Sequence, residues 1–540
     1  MREAKATMLT NETEAIKVKK ERDGIKSGGH FDLIVIGAGP GGMAAAAGAY
    51  DRGLKKILVA DRNSYPGGIL PQCIHEGFGR NQAGRPLTGP ECAAFWKRNL
   101  DQRGVPVLPS TTILEIGYGS RPYRLRYLSE RIGAGTFTAD GVILAMGCRE
   151  RTLGQMRIPG SRPAGIYTAG TAQYMMNRQN LLPGKRAVIL GSGDIGLIMA
   201  RRLILEGLTV RLILGEKASG LARNHIQCVQ DFGIPIRFGW TLLSTHGYRR
   251  LTGVSVAPLG LDGKPDLSRK EYIRCDTLLV AAGLIPETEL FTTSGTSLTE
   301  AFGIPAGPSG ATPLPGVFAC GNVTRIYDLV EEVTRDGQAA GKAAADFLLA
   351  ERQGKLSGAP RDGVSVGDTD GAGAVSDAEY TDCDGACTYA GAGRGPGESG
   401  TAAPREPGYE ALENLGPDEM VCILCPRGCR ISRAHPEKGG KCPKGKDYAI
   451  AELEDPRRTL TTTVRLEGTG TAVWPDRLLP VRSREPLPKD LWSEAMKQIR
   501  RLSVKGPVGE GQILLDSICD TGIPLVASAS FEISGEGRDL

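Results

Sequence analysis

Four cysteines near the C-terminal end of the chain have the spacing of a metal site. They follow the pattern C-x2-C-x3-C-x12-C, in the order Cys422, Cys425, Cys429 and Cys442. Four thiolates this close in sequence can reach one centre, and either a 4Fe–4S cluster or a tetrahedral zinc ion would satisfy them. Nearby lysines and glycine N–H groups would offset a sulfide-rich anion, which a neutral structural zinc site does not need. The pattern therefore predicts a metal centre and slightly favours iron–sulfur.

An apolar run followed by closely spaced glycines predicts a nucleotide-binding unit near the start of the chain. The pattern indicates a buried strand over 33–36, an Ala-rich helix over 43–50 and a second strand over 56–60. The segment GAGPGG between the first strand and the helix contains Gly37, Gly39, Pro40 and Gly42. Glycines at this spacing permit a tight turn, the approach of a pyrophosphate and close helix packing, and the helix N-terminus receives the anion. Asp61 follows the second strand, where an acid meets a ribose hydroxyl.

The same pattern recurs after residue 185. The segment KRAVILGSGDIG predicts a strand and a second glycine turn before a helix over 197–206 and a strand over 210–214. The turn contains Gly191, Gly193, Asp194 and Gly196. Glu216 lies near the position where an acid favours NAD over NADP, whereas Lys217 and Arg223 could offer charge to a phosphate. Two dinucleotide-binding units are predicted, with a nucleotide preference that leans towards NAD.

Further apolar segments end in glycine, namely GVILAMG, CDTLLVAAGLIP and TPLPGVFACGN. They place Gly147, Gly283, Gly321 and Asn322 at predicted strand ends. Their assignment to cofactor binding is what the family resemblance described below implies. Short alternating strands over 112–140 predict an antiparallel excursion, and a long Ala-rich helix is predicted over 328–350.

The turn-rich segment 63–79 (NSYPGGILPQCIHEGFG) contains Cys73 and His75. In a dinucleotide-binding fold such a loop leaves the carboxyl edge of the sheet, where the reactive ring of the cofactor would lie. Both residues are therefore candidate catalytic residues. The alternatives are a buried thiol that acts as a small apolar group and a histidine whose polar atoms are already satisfied.

Length and charge exclude several classes of protein. A chain of 540 residues is too long for one core, so several domains are expected. With 66 basic and 61 acidic residues, the formal charge of +5 gives no reason to invoke nucleic acid. No run of 18 apolar residues occurs, and the charged leader 1–30 lacks the apolar core of a signal peptide. We therefore expect a cytoplasmic protein with no transmembrane segment.

The composition changes over residues 351–417, which are rich in Gly, Ala, Asp, Pro and Ser. Such a stretch cannot bury enough apolar surface to fold, so it is predicted to be a flexible linker. Cys383 and Cys387 lie within it at C-x3-C spacing, and the absence of histidine partners argues against a metal site there. After the cysteine motif, residues 448–540 are predicted to form a small β-rich domain, with LTTTVRL as a strand.

These motifs resemble the FAD and pyridine-nucleotide flavoproteins that contain two dinucleotide-binding domains, one inserted into the other. The resemblance rests on GAGPGG with Asp61, LAMG, VAAGLIP, GSGDIG and TPLPGVFACGN. It implies an α/β fold with two Rossmann-like domains, FAD bound by 31–155 and 285–350, and NAD(P) bound by 156–284. The remaining parts are the leader, the linker and a four-cysteine domain over 418–540.

A narrower resemblance, carried by YPGGILPQCIHEGFG, LTGPE, IPGSRPAGIYTAGTAQ and VILGSGDIGLIMARRL, is to NAD(FAD)-dependent dehydrogenases found beside FAD-linked glycerol-3-phosphate dehydrogenases. It implies such a dehydrogenase as partner, within an oligomer or hetero-complex. The C-terminal part resembles a small protein of unassigned function that accompanies those two, here fused to the chain. Its C-x2-C-P-x-G-C opening is also similar to the cluster-binding start of molybdopterin oxidoreductases, which supports a 4Fe–4S assignment.

Two departures from the family patterns affect the expected chemistry. Glutathione-reductase-like members carry a C-x4-C redox pair in this loop, and the corresponding positions here are Leu70 and His75. Disulfide reduction by that route is therefore not expected. The terminal GD motif is GN here, and Asn322 can hydrogen-bond FAD without bringing a charge.

The leading hypothesis is an FAD-dependent oxidoreductase that relays electrons between NAD(P)(H), FAD and the cluster. The first alternative is an NAD(P)H oxidase or a sulfur or persulfide reductase that uses Cys73. The second is a zinc-bearing C-terminal domain that docks a partner without passing electrons. The direction of electron flow stays open.

Overall fold

A computed structural model describes residues 25, 28–81, 83–215, 229–354, 416, 418–423, 429–467 and 478–531. Several predictions fall outside these ranges: the leader helix, most of the linker, Lys217, Arg223, Cys383, Cys387, and the two site residues Glu216 and Cys425. The helices of the described ranges are α1 Pro40–Asp51, α2 Gly89–Gln102, α3 Ala169–Arg178, α4 Asp194–Leu205, α5 Glu289–Thr292, α6 Val330–Arg352, α7 Pro443–Glu454 and α8 Trp492–Arg500.

The first unit is built on a mixed seven-stranded sheet. Its strands are β1 His30–Ile36, β2 Ile57–Ala60, β5 Val107–Leu108, β6 Thr111–Gly117, β7 Tyr123–Ser129, β8 Gly133–Leu144 and β19 Val317–Ala319. The order is β5-β2-β1-β8-β7-β6, with β19 also paired to β8. The first half of β8 pairs antiparallel with β7, and its second half runs parallel to β1 and β19. The predicted antiparallel excursion is therefore an extension of the same sheet.

Helices α1 and α6 cover one face of this sheet. They approach closely because small residues meet at the contact: a Cβ on Gly337 would lie 2.2 Å from the Gly41 carbonyl oxygen, and one on Gly341 would lie 1.9 Å from that of Ala45. Since helices and loops bury both faces, the central strands are apolar throughout, and β1 is buried from Leu33 to Ile36. A short two-stranded element, β3 Glu76–Arg80 with β4 Pro86–Thr88, precedes α2.

The second unit has an all-parallel sheet in the order β10-β17-β11-β12-β13. These strands are β10 Ile166–Thr168, β11 Arg186–Leu190, β12 Thr209–Gly215, β13 Ile236–Phe238 and β17 Thr277–Val280. An antiparallel sheet lies beside it, formed by β14 Trp240–Gly247, β15 Leu251–Pro258 and β16 Glu271–Arg274. The chain enters and leaves this unit through the antiparallel pair β9 Cys148–Glu150 and β18 Leu284–Pro286. The predicted α/β class with two Rossmann-like units is confirmed.

The C-terminal unit is β-rich, as predicted. Its sheet has the order β26-β23-β24-β28-β27, and two short pairs, β20 with β21 and β22 with β25, flank it. The strands are β20 Glu419–Val421, β21 Arg430–Ser432, β22 Arg457–Arg458, β23 Thr461–Glu467, β24 Leu478–Ser483, β25 Leu487–Pro488, β26 Ser503–Lys505, β27 Ile513–Leu515 and β28 Leu525–Ala527. Helix α7 occupies the first residues of the segment predicted as β-rich, because Pro443 can begin a helix at its first position.

The C-terminal unit packs against both dinucleotide units. The buried Arg482 donates to the Pro86 carbonyl at 3.0 Å and pairs with Glu76 at 3.1 Å. On the other unit, Leu205 at the end of α4 belongs to the C-terminal core, and the Phe232 and Trp492 rings are 5.8 Å apart. The three units therefore share buried surfaces. Among the helices of the described ranges, none combines the length and the apolar character that a membrane crossing requires.

Candidate functional site

The first glycine turn has the geometry that its spacing predicts. Gly37 has a φ of +108°, and a Cβ there would lie 2.3 Å from the Ala145 carbonyl oxygen. A Cβ on Gly42 would lie 1.9 Å from the Gly37 carbonyl oxygen, so α1 begins in direct contact with the turn. At Gly39, by contrast, no described residue other than its chain neighbours lies within 4 Å of the position that a Cβ would take. The turn is thus closed towards the sheet and open at Gly39, where a pyrophosphate would approach.

Pro40 is the first residue of α1, a position where its missing N–H costs nothing. Asp61, which follows β2, is buried beside the turn. Its Oδ2 accepts from the Ala38 N–H at 2.6 Å, and its Oδ1 accepts from the Asn63 N–H at 2.7 Å. Burial raises the pKa of Asp61, whereas these backbone donors act to lower it. Each carboxylate oxygen can accept one more hydrogen bond, so the geometry allows the predicted contact with a ribose hydroxyl. That contact stays a prediction.

The loop after Asp61 folds back over the first turn. The Gly67 N–H donates to the Ala38 carbonyl at 2.7 Å, and a Cβ on Gly68 would lie 3.1 Å from the Gly39 Cα. Gly67 and Gly68 both have positive φ values, +120° and +59°. A residue with a side chain would rarely adopt the value found at Gly67. The pair of glycines in this segment therefore lets the loop lie directly on the cofactor turn.

The two candidate catalytic residues lie in this loop, in different surroundings. The Cys73 thiol is 6% exposed and donates to the Gln173 Oε1 at 3.5 Å. Burial raises its pKa to about 12, so it is a neutral thiol at physiological pH rather than a nucleophilic thiolate. His75 is partly exposed, with its Nδ1 2.9 Å from the Glu76 carbonyl oxygen and its ring 5.0 Å from that of Phe78. Their catalytic roles stay predictions.

Helix α3 of the second unit holds the Cys73 loop through a network that the sequence analysis missed. The Gln72 side-chain amide donates to the Gly170 carbonyl at 3.0 Å and to Gln173 Oε1 at 3.1 Å. The Asn177 amide donates to the Gln72 carbonyl at 2.8 Å, and its oxygen accepts from Arg202 Nε at 2.8 Å. No local pattern marks these residues, because they become neighbours only when the two units pack together.

The remaining strand ends of the first unit gather near Asn322. Gly147 lies three residues after the end of β8 and directly before Cys148, and the Asn322 amide is 3.5 Å from the Cys148 sulfur. The Asn322 oxygen accepts from the Tyr327 N–H at 3.1 Å. The sequence analysis missed Cys148, a half-buried thiol whose pKa is raised by burial. None of the nine cysteines in the described residues forms a disulfide.

A carboxylate also lies beside this strand end, although the motif itself carries Asn322. The Gly321 N–H donates to Asp336 Oδ2 at 2.6 Å, and Asp336 lies in the second turn of α6. Gly321 has a φ of +72°, which directs its N–H towards that helix. The sequence did not predict this contact, because Gly321 and Asp336 are 15 residues apart and a loop and a helix start lie between them.

The second glycine turn repeats the first. Gly191 has a φ of +116°, and a Cβ there would lie 2.0 Å from the Ala281 carbonyl oxygen. A Cβ on Gly196 would lie 2.2 Å from the Gly191 carbonyl oxygen, and Gly193 is again open. Asp194 is the first residue of α4, and Gly283, with a φ of +95°, follows the neighbouring strand β17.

The cysteine motif is described in part. The Cys422 N–H donates to the Cys429 carbonyl at 2.9 Å, which brings these two residues together across the β20–β21 pair. Two neighbouring glycines adjoin them: a Cβ on Gly440 would lie 3.2 Å from the Cys429 sulfur, and one on Gly445 would lie 3.6 Å from the Cys422 sulfur.

Cys442 is the N-cap residue of α7, so its backbone lies at the positive end of that helix. With Cys425 outside the described ranges, the residues that are described contain no group of three or more potential metal ligands. The metal centre therefore stays a prediction, and the donor set of thiols next to glycine N–H groups suits either cluster or zinc.

Comparisons with known proteins follow the two halves of the chain. A family described as "Pyridine nucleotide-disulphide oxidoreductase" matches residues 31–337. A family described as "Protein of unknown function (DUF1667)" matches residues 443–529, immediately after Cys442. FAD and NAD(P)H are supported as cofactors by the first family, and the two glycine turns, each open only at its middle glycine, fit them.

Among curated proteins, the chain is 26% identical over 354 residues to an opine oxidase subunit of Agrobacterium tumefaciens (strain Ach5), covering 60% of this chain and 67% of that protein. It is 26% identical over 279 residues to hydrogen cyanide synthase subunit HcnB of Pseudomonas protegens, covering 48% and 57%. It is 26% identical over 329 residues to an alkyl hydroperoxide reductase subunit of Pseudomonas putida, covering 59% and 58%. The chain thus spans less than two thirds of the length of the latter two proteins.

Among solved structures, a thioredoxin reductase from T. acidophilum is 21% identical, with 59% of this chain and 98% of that chain covered and a TM-score of 0.49.

Proposed function

Because the chain belongs to the pyridine nucleotide-disulphide oxidoreductase family, we propose that this FAD-dependent NAD(P)H oxidoreductase relays electrons through a 4Fe–4S cluster on its four C-terminal cysteines. When bound, FAD supplies hydride exchange with the nicotinamide and one-electron exchange with such a cluster. The chain's own residues hold the two dinucleotides in register and fix the position of the cysteine unit. Glu216 leaves the preference leaning towards NAD.

This proposal rests on one observation: ion pairs attach the C-terminal unit, which contains the cysteine motif, to the second dinucleotide unit. Arg458 pairs with Glu452 of α7, the helix that Cys442 caps, and lies 3.4 Å from Asp231. Lys489 also contacts Asp231, at 3.1 Å. These groups are largely buried, and breaking one partner of a buried pair is costly, so the attachment is firm. A fixed position favours electron transfer over a tethered domain that only recruits a partner.

The proposed partner is an FAD-linked glycerol-3-phosphate dehydrogenase, and two relatives support a role within a larger enzyme. The opine oxidase relative and the hydrogen cyanide synthase relative HcnB are both named as subunits. The test is to mix the purified chain with such a dehydrogenase and follow NAD+ reduction by glycerol 3-phosphate. Failure of the mixture to form a complex or to transfer electrons in either direction would contradict this partner.

The cluster itself is tested by an anaerobic visible spectrum with iron, sulfide and zinc assays, recorded before and after NADH. We expect a flavin spectrum over a broad iron–sulfur shoulder, with both bleached by NADH. The variant Cys425→Ser should lose the shoulder and keep the flavin, and Cys519→Ser, outside the motif, is the matched control. One zinc ion per chain without iron would contradict the electron relay and favour the alternative, a zinc-bearing C-terminal domain that docks a partner.

The sulfur or persulfide reductase alternative has less support, because Cys73 is buried as a neutral thiol. It is tested by Cys73→Ser. Unchanged NADH turnover with every acceptor, including a low-molecular-weight persulfide, would remove it, whereas selective loss of persulfide turnover would favour it over the relay.

A further inference from the structure

A cavity of about 130 Å³ lies where the three units meet. The residues that line it include His75 from the Cys73 loop, Asn177 from α3, Arg201 and Arg202 from α4, and Arg458 and Thr461 from the C-terminal unit. A cavity needs roughly 10–15 Å³ by the same measure to hold one water, so this one has room for a molecule of several heavy atoms. Arg201 lies seven residues after Asp194, about 10 Å along the helix axis. The cavity is therefore separate from the second glycine turn.

Three arginines border this cavity, and their charges are compensated unequally. Arg202 pairs with Glu206 at 2.7 Å, and Arg458 pairs with Glu452 and Asp231. Arg201 has no carboxylate within ion-pair distance in the part of the chain that the structure describes.

The guanidinium of Arg201 makes two contacts that leave its positive charge in place. Its Nη2 donates to the Thr459 carbonyl at 3.2 Å, and the group lies 4.8 Å from the centre of the Trp492 ring. The Nε atoms of Arg201 and Arg458 are both buried without a hydrogen-bond partner. A guanidinium has five N–H donors, so Arg201 retains donor capacity at the cavity wall.

Three arginines and one carboxylate, Glu76, line the cavity, and Glu76 is already paired with Arg482 at 3.1 Å. Burial lowers the pKa of Arg202, and repulsion from Arg500 and Arg201 lowers it further, against the opposing effect of Glu206. Burying a cation without a counter-ion is unfavourable, so an anion in the cavity would relieve this repulsion.

We propose that this three-unit cavity binds a small oxyanion, either the carboxylate of an organic acid or a phosphate group, with Arg201 as its principal ligand. A planar guanidinium fork matches both groups, because each presents two oxygens to parallel N–H donors. His75 also lines the cavity and belongs to the loop that carries Cys73, so an anion bound there would lie beside that loop. None of its arginines belongs to a dinucleotide turn or to the cysteine motif, and Arg201, unlike Arg458, takes no part in the ion pairs that attach the C-terminal unit.

The test is calorimetric titration of the full-length, flavin-loaded protein with inorganic phosphate and, separately, with succinate. Saturating NAD+ is present to occupy the second glycine turn, and sodium chloride keeps the ionic strength constant. We expect one site, and about tenfold weaker binding in Arg201→Gln. Arg201→Lys should bind with intermediate affinity because it keeps the charge and loses the fork. The matched control is Arg211→Gln, an exposed arginine of β12 that should bind like the parent protein.

The outcomes separate the ligand classes and the proposal itself. Binding of phosphate alone or of succinate alone, lost in Arg201→Gln, identifies the class of anion and supports the site. Binding of neither above the chloride control overturns it, as does binding that Arg201→Gln leaves unchanged while its flavin content and unfolding temperature match those of Arg211→Gln. The NADH-reduction spectrum is recorded in parallel, and a failure there would contradict the relay without bearing on the anion site.

Discussion

The two glycine turns are nearly identical in backbone and differ in what surrounds them. In each, the first glycine has a positive φ and lies against a carbonyl oxygen of the neighbouring strand end, Ala145 for Gly37 and Ala281 for Gly191. The first turn, however, is covered by the loop at Gly67 and by the buried Asp61. In the second, no such cover lies on Gly193 within the described residues.

This difference suits two dinucleotides with different residence times. A covered turn holds its ligand through contacts on several sides, so dissociation requires the loop to open. An open turn lets a ligand enter and leave at each turnover. The comparison is consistent with the prediction that the first turn binds FAD and the second binds a nicotinamide nucleotide, and the substitutions below test that assignment.

The strongest way to break the comparison is to substitute the first glycine of each turn. Gly37→Ala and Gly191→Ala each force a side chain into a positive φ and into a carbonyl oxygen at 2.3 and 2.0 Å. We expect each to lower the free energy of unfolding by about 3 kcal/mol. Gly37→Ala should purify without flavin, whereas Gly191→Ala should keep the flavin and lose its reduction by NADH. Absorbance ratios, stopped-flow reduction and chemical unfolding measure these effects.

The control for this pair is Gly119→Ala, at an exposed turn with open space around the added carbon. It should behave like the parent protein. Equal loss of flavin in Gly37→Ala and Gly191→Ala, or retention of flavin in both, would contradict the assignment of one turn to each dinucleotide.

A somewhat smaller effect is expected from Asp61→Asn, which changes only the first turn. An asparagine has one acceptor oxygen, so either the Ala38 or the Asn63 N–H loses its partner, at a cost of about 1–3 kcal/mol. We expect the variant to release flavin more readily during dialysis. A flavin dissociation constant equal to that of the parent protein would show that the carboxylate only shapes the turn.

The same variant tests the ionisation of Asp61. Burial raises the pKa of this carboxyl above its ordinary value of 3.8, so the folded chain binds its proton more tightly than the unfolded chain does. Stability of the apoprotein should therefore fall as the pH rises from 3.8 through the raised value, and Asp61→Asn should remove that part of the pH dependence. Urea unfolding from about pH 4 to about pH 7 measures it, and identical pH profiles for the two proteins would contradict the raised pKa.

The local features of the first turn could be predicted from the sequence. The glycine spacing, the apolar strands and Asp61 lie within about 30 residues of one another, so periodicity and turn chemistry specify them. The support of the covering loop could not be predicted, since Gln72 in that loop meets Asn177 more than 100 residues later. The Arg201 cavity is lined by residues from all three units, and no pattern within one segment of the sequence predicts such a junction. Helix α7 did carry a signal, a proline directly after Cys442, that the β-rich prediction overlooked.

A weaker test of the cover is Gly68→Ala. The added carbon would lie 3.1 Å from the Gly39 Cα, so the loop must shift by a few tenths of an ångström, and Gly68 has a φ of +59°. We expect a loss of stability of about 1 kcal/mol and a several-fold faster release of flavin, with NADH affinity unchanged. Flavin release is followed by fluorescence after dilution. Gly104→Ala, at a similar positive φ of +66° with open space around it, is the matched control, and an equal effect there would remove the role of the loop contact.

The smallest effect on the fold is expected at the middle glycines, where the two turns are alike. Gly39 and Gly193 have extended backbones, with φ values of −71° and −70°, and among the described residues nothing beyond their chain neighbours lies within 4 Å of an added Cβ. Alanine should therefore fit both positions with a change in unfolding free energy below about 0.5 kcal/mol. Each methyl group would, however, occupy the space through which a pyrophosphate approaches the backbone. Gly39→Ala should weaken FAD binding alone, and Gly193→Ala should raise the KM for NADH alone, each by about tenfold. Because the stability of both variants is expected to match that of the parent protein, any loss of ligand reports the ligand contact itself, and a variant that binds normally would place its dinucleotide elsewhere.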